Sequence, residues 1–248
     1  MRHADVATVM WKEWKMLKDQ LGWESSRWGT VVVVVLFAVL SCFGAYRAGP
    51  GWVTSPAMLL IYPFTAAAIV IQPIVDSFAG ERERHTLETL LASRLSDSAI
   101  LFGKILGAVL PGVVFALVMY SLAILAVNLF HAEGAILLPP PWLWAGTCLL
   151  IFGLAGLVAT GGVFVSLRAS TVRQATQTFG FVLMAVLVMP VVVVMVMPDS
   201  LRHELLAWVQ TIHLLRLTLT VCAGVIALDA LFLLAAVKRF RRGTLILD

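Results

Sequence analysis

Long apolar runs recur along this chain, and they limit its fold more than any other feature. The clearest occupy 31–40, 58–75, 100–130, 142–165 and 179–197. Several approach or exceed the roughly 20 residues that an α-helix needs to cross a bilayer core. Inside a bilayer each backbone polar group must be satisfied within the protein, so apolar runs of this length read as helices. With 60% hydrophobic and 13% charged residues, a soluble domain of 248 residues would lack polar surface. The sequence therefore predicts an all-α polytopic membrane protein forming one transmembrane domain over 1–248.

Six spans give the best division: 30–46, 56–78, 98–130, 142–167, 174–197 and 212–237. Pro63, Pro73 and Pro111 fall inside spans two and three and predict kinks. Lysine and arginine counting orients them. Segment 1–29 carries Arg2, Lys12, Lys15, Lys18 and Arg27; 79–104 carries Arg82, Arg84, Arg94 and Lys104; 166–174 carries Arg168 and Arg173. The tail 238–248 carries Lys238, Arg239, Arg241 and Arg242. The opposite side offers Arg47, Arg202 and Arg216. This asymmetry predicts both termini in the cytoplasm.

The N-terminal segment mixes both charge signs and lacks an early apolar core, so it reads as retained and not as a signal peptide. Val6, Val9, Met10, Trp14 and Leu17 recur at helical spacing, and Trp11, Trp14, Trp23 and Trp28 suit a headgroup layer. This predicts an amphipathic interfacial helix within 1–29. Residues 198–211 (PDSLRHELLAWVQT) read as a short surface helix with Leu201, Leu205, Leu206 and Trp208 on one face.

One polar island, 76–104, interrupts the apolar pattern: DSFAGERERHTLETLLASRLSDSAILFGK. Leu87, Leu90, Leu91 and Leu95 keep helical spacing within it, with charges mostly on the other face. Exposed Glu–Arg pairs contribute only about 0–1 kcal/mol each, so the pattern suits docking better than stability. Within the membrane, Asp229 is the most prominent charge; such groups face a bundle interior or a wet cavity. Gly103 with Gly107, and Gly153, Gly156 and Ala159, permit close helix approach.

Several chemistries lack their residues. No GxxxxGK[ST] phosphate loop is present, and GLVATGG at 156–162 lies within a span without the lysine. His203-Glu204 begins a zinc motif, but Ala207 stands where the second histidine would be. Cys42, Cys148 and Cys222 are widely spaced inside apolar runs, which excludes CxxC and metal spacing. No metal site, catalytic residue or bound cofactor is expected.

The island ERERHTLETLLASRLSDSAILFGKILG resembles the cytoplasmic loop of ABC-2 type transporter permeases. That family shows Glu-Arg-Glu, then Gly-Thr-Leu-Glu and two leucines, then Gly-Lys opening the third span. Here these are Glu81, Arg82, Glu83, Thr86, Leu87, Glu88, Leu90, Leu91, Gly103 and Lys104; His85 stands where glycine is usual and Arg94 where proline is common. The loop Ser166–Thr171 and the basic tail KRFRRGTL are also similar to the family. The resemblance implies the membrane subunit of an ATP-driven exporter in a prokaryotic cytoplasmic membrane, paired with a second permease copy. A separate ATPase would bind ATP and magnesium. It further implies a cytoplasmic coupling helix at 81–91, with Glu81, Arg82, Glu83, Arg84, Thr86, Leu87, Glu88 and Leu91 as ATPase-coupling residues. If spans two and five line the pathway, Gln72, Asp76, Gln174 and Gln177, with Asp229, are candidate substrate-facing groups. An ATP-independent channel or ion-coupled transporter using Asp76 and Asp229 is the alternative.

Overall fold

A computed structural model of the chain describes residues 3–20, 27–86, 89, 93–132, 134–169, 171–199, 201 and 213–240. All regular structure among these residues is helical. Helix α1 spans His3–Gln20, α2 Arg27–Ala48 and α3 Met58–Val75. Helix α3 continues through a wider π-type turn, Asp76–Gly80, into a closing turn Glu81–Glu83. Then follow α4 (Asp97–His131), α5 (Pro141–Arg168), α6 (Val172–Val196) and α7 (Leu214–Arg239).

Local chemistry explains the helix ends. Ser96 caps α4 by accepting from the Ala99 N–H, and Thr171 caps α6 by accepting from the Gln174 N–H, both at 3.2 Å. Pro141 opens α5, where its missing N–H removes nothing the helix needs. Gly49 and Gly134 take positive φ in the links after α2 and α4.

Five helices are long and apolar enough to cross a membrane: Val31–Trp52, Met58–Glu83, Asp97–His131, Pro141–Arg168 and Leu214–Arg239. The stretch predicted as span five is also helical, as α6. The first span extends well beyond the short 30–46 segment expected. Residues 202–212, which include most of the predicted surface helix at 198–211, lie outside the described residues.

Helix α3 is the axis of the bundle. Its Tyr62, Ala66, Val70 and Ile74 are buried between α4 and α5. Glycines allow the approach: a Cβ on Gly112 of α4 would stand 2.7 Å from Val70, and one on Gly162 of α5 would stand 2.6 Å from Ile74. Helix α7 lies on α5 through the same device, with Gly146 under Thr218, Gly153 under Val225 and Gly156 under Asp229. Lipid tails are as apolar as leucine, so helix association here rests on close packing and hydrogen bonds. Helix α2 touches α4 through the Phe37–Phe115 ring pair and the Ser41 Oγ bond to the Met119 carbonyl, while Val31–Phe37 line an exposed flank.

Helix α1 lies across the start of α4. Val9 packs into the notch at Gly103, and Glu13 crosses Gly107. The small residues of α4 thus serve contact within the subunit. Val6 and Val9 turn toward α4, while Trp11 and Trp14 on the same helix are exposed, Trp14 at 51%.

Candidate functional site

The Glu81–Glu83 turn joins described parts of three basic segments of the sequence at one end of the bundle. The helix expected over 81–91 is interrupted after these three residues. They close α3, and the chain then turns at Arg84 and His85. The His85 N–H bonds the Arg82 carbonyl at 3.1 Å, and the Thr86 N–H bonds the Glu81 carbonyl at 2.9 Å. This is the Schellman pattern, which places a left-handed residue just past the helix end. His85 occupies that position at φ +56°. The glycine usual at this site in the resembling family therefore has a backbone reason. Leu87, Glu88, Leu90 and Leu91 lie outside the described residues.

Each residue of the triad reaches a different neighbour. Glu81 is 1% exposed. Its Oε1 accepts from Lys12 of α1 at 2.8 Å and pairs with Lys104 of α4 at 3.2 Å. Lys104 also donates to Glu13 Oε1 at 2.8 Å and to the Ser77 carbonyl, and its ammonium sits 5.0 Å from the Phe78 ring. Two cations and two anions thus balance inside a joint of α1, α3 and α4. Burial without this balance would be costly for each ion. Glu81 Oε2 is buried and has no hydrogen-bond partner among the described residues.

Arg82 points to α5. Its guanidinium donates to the carbonyls of Leu167 at 2.8 Å and Ala169 at 3.0 Å. A cation at a helix C-terminus satisfies orphan carbonyls and opposes the negative end of the helix dipole. Glu83 does the reverse at α6, where its Oε2 accepts from the Val172 N–H at 3.1 Å. Opposite charges on adjacent residues therefore match opposite ends of two consecutive helices.

The π-type turn beneath the triad is held by one side chain from α5. Ser166 Oγ donates to the Val75 carbonyl at 2.6 Å and accepts from the Ala79 N–H at 2.9 Å. It thereby satisfies groups that the widened turn takes out of regular register. Gly80 faces the Asp76 carboxylate so closely that a Cβ would collide with it. Beyond the turn, Phe78 meets Phe240 at the end of α7, with ring centroids 5.3 Å apart.

The remaining candidates are scattered. Asp76 is half-buried and pairs with Arg84 at 3.1 Å. Thr86 is exposed, with its hydroxyl 3.3 Å from the Glu81 carbonyl. Gln72, Gln174 and Gln177 are exposed. Asp229 faces α5, where its Oδ1 accepts from Thr160 at 3.0 Å. It fastens α7 and stands apart from the triad. No group of residues suited to hold a metal occurs among the described residues.

Lys12, Glu13, Ser77, Lys104 and Ser166 are absent from the sequence-derived site candidates; Lys12 and Lys104 appear there as orientation residues, and Lys104 and Ser166 in the family-like segments. A lysine between Gly103 and Ile105 in a long apolar helix does signal a buried, paired cation. The serines carry no such signal, because their partners are backbone groups distant in sequence.

The model of the family described as ABC-2 family transporter protein matches residues 13–230. No curated protein matches the chain. The family match runs from α1 into α7 and takes in Glu13, the Glu81–Glu83 turn, Lys104 and Ser166, so the chain belongs to the ABC-2 family of transporter proteins, as a membrane-embedded permease.

Proposed function

We propose that this chain is the membrane subunit of an ATP-driven exporter, with six spans, both termini in the cytoplasm and a second permease completing the pathway. A separate ATPase polypeptide binds and hydrolyses ATP, since the chain has no phosphate loop. One observation supports the reading most: the consecutive residues Glu81, Arg82 and Glu83 tie α3 to α1, α4, α5 and α6. A push on this turn then reaches the middle of α1, the first turns of α4, the end of α5 and the start of α6. ATP-driven closure of the ATPase pair moves this turn, and the helices rotate together between inward- and outward-facing arrangements. The ligand biases two states through its differential affinity for them. Glu81 and Arg82 act in this scheme as positioning residues, and the chain that follows Glu83 meets the ATPase.

The test is purification in mild detergent followed by reconstitution. A Walker-motif ATPase should co-purify, and transport should require ATP. Arg82→Ala should leave ATP hydrolysis measurable while uncoupling it from transport. Transport driven by an ion gradient in ATP-free liposomes would instead support the channel or secondary-transporter reading. The contacts of Asp76 with Arg84 and of Asp229 with Thr160 give that alternative no particular support.

A further inference from the structure

We propose that this permease recognises its ATPase through cations, so that the ATPase surface facing Arg94, Arg168, Arg173 and Lys238 is acidic. This rests on the permease reading above and adds the chemistry of the partner. Segment 76–104 does not announce a sign. It carries Asp76, Glu81, Glu83, Glu88 and Asp97 against Arg82, Arg84, Arg94 and Lys104, a formal balance of 4 − 5 = −1.

Folding sorts these charges. Glu81 is buried against Lys12 and Lys104. Asp76 is half-buried and pairs with Arg84, and Asp97 is half-buried in the first turn of α4. Glu83 is exposed but gives one oxygen to the Val172 N–H. Glu88 lies outside the described residues. Two of the cations also turn inward, Lys104 into the joint and Arg82 onto the end of α5.

The cations left at the surface come from the link before α4 and from the ends of α5, α6 and α7. Arg94, Arg168, Arg173 and Lys238 are all exposed, whereas Arg84 is balanced by Asp76. Arg82 and Glu83 bond residues 167, 169 and 172, so Arg168 and Arg173 flank the very residues that the triad holds. Arg94 lines a cavity of about 510 Å³ whose wall includes Val237 and Phe240, next to Lys238. These groups sit at helix ends or in the links between helices. Trp11, Trp14 and Lys15, by contrast, occupy the outward edge of α1, the position suited to lipid headgroups. Charge complementarity of this kind sets on-rate and partner choice more than affinity from any single pair.

The experiment measures rebinding of the ATPase that co-purifies with the wild-type chain. The permease is immobilised in nanodiscs of phosphatidylcholine or of phosphatidylglycerol, at low and at high salt. The variants are Arg94→Glu/Arg168→Glu/Arg173→Glu and its milder form with glutamine at all three positions; Lys15→Glu is the control. Unchanged thermal unfolding and a monodisperse elution profile certify each variant. The charge-reversed variant should bind about tenfold or more weakly, the glutamine variant should fall between, and both should lose salt sensitivity. Lys15→Glu should bind as wild type does, in either lipid. Undiminished binding by both triple variants would overturn the proposal while leaving the permease reading intact. A loss confined to phosphatidylglycerol discs would assign the cations to headgroups and also overturn it. If wild type captures no Walker-motif ATPase, the permease reading fails and the proposal falls with it.

Discussion

Replacing Lys104 with methionine tests the buried joint most directly. The side chain is fully buried, and its ammonium serves Glu13, Glu81 and the Ser77 carbonyl. Methionine keeps the bulk and removes the charge. Glu81, 2% exposed at its side chain, would retain only Lys12, whose own side chain is 44% exposed and better screened by water. Glu13 would lose the cation 2.8 Å away. Removing one partner of a buried pair costs about 3–5 kcal/mol, because the other charge stays desolvated. Lys12 offsets part of this, so we expect a loss of about 3 kcal/mol. For a chain of this size that lowers Tm on the order of 10 °C. Adding Glu81→Leu should restore most of the loss, since replacing both partners of a buried pair by apolar groups is often neutral. Thermal unfolding of the detergent-purified protein, followed by tryptophan fluorescence, reads all three variants, and the double-mutant cycle isolates the coupling. A loss under about 1 kcal/mol for Lys104→Met, or a double variant that falls by the sum of the single losses, would refute the reasoning.

Three further outcomes follow from the same geometry. His85→Gly should stabilise the protein by about 1 kcal/mol, because a side chain at φ +56° carries the left-handed penalty, and His85→Val should destabilise it; a lower Tm for the glycine variant would contradict the Schellman assignment. Gly103→Val should lift α1 from α4, since even a Cβ there would lie 2.5 Å from the Val9 Cβ; a cysteine at position 9 should become reactive to a water-soluble maleimide in that background, and continued protection would count against the packing. Thr160→Val removes the hydroxyl that holds Asp229, and interhelical bonds of this kind contribute roughly 0.6 kcal/mol, rarely above 2; the variant should unfold slightly earlier, whereas Asp229→Asn, which can still accept from Thr160, should stay close to wild type in the same unfolding assay.

The candidate site was legible in part. ERE stood out because charges are rare in so apolar a chain, and the resemblance placed it at the joint between spans two and three. Its direction was not legible. Glu81 and Glu83 read as a docking surface, yet Glu81 is buried in the joint and Glu83 caps α6. Alternation of glutamate and arginine looks the same whether the residues face solvent or the ends of neighbouring helices. The helix expected from 81 to 91 is interrupted at Arg84 and His85 for a related reason, and Leu87, Leu90 and Leu91 lie outside the described residues. Leucine spacing continues through the island, but Arg84 and His85 carry the turn that the Schellman bonds close. Asp229 was flagged as costly within a span, and the structure supplies the hydroxyl that accounts for it.

By itself the sequence determined the helical class, the position of the apolar segments and the grouping of the basic segments. Those follow from hydropathy and charge over many residues, where single errors average out. The tertiary structure alone decided which charges are consumed inside the joint and which remain outside. That depends on a few distances between residues such as Lys12, Glu81 and Lys104, separated by up to 92 positions along the chain. No local pattern encodes them, because Coulomb energy and desolvation respond to the final positions of the groups and not to their order.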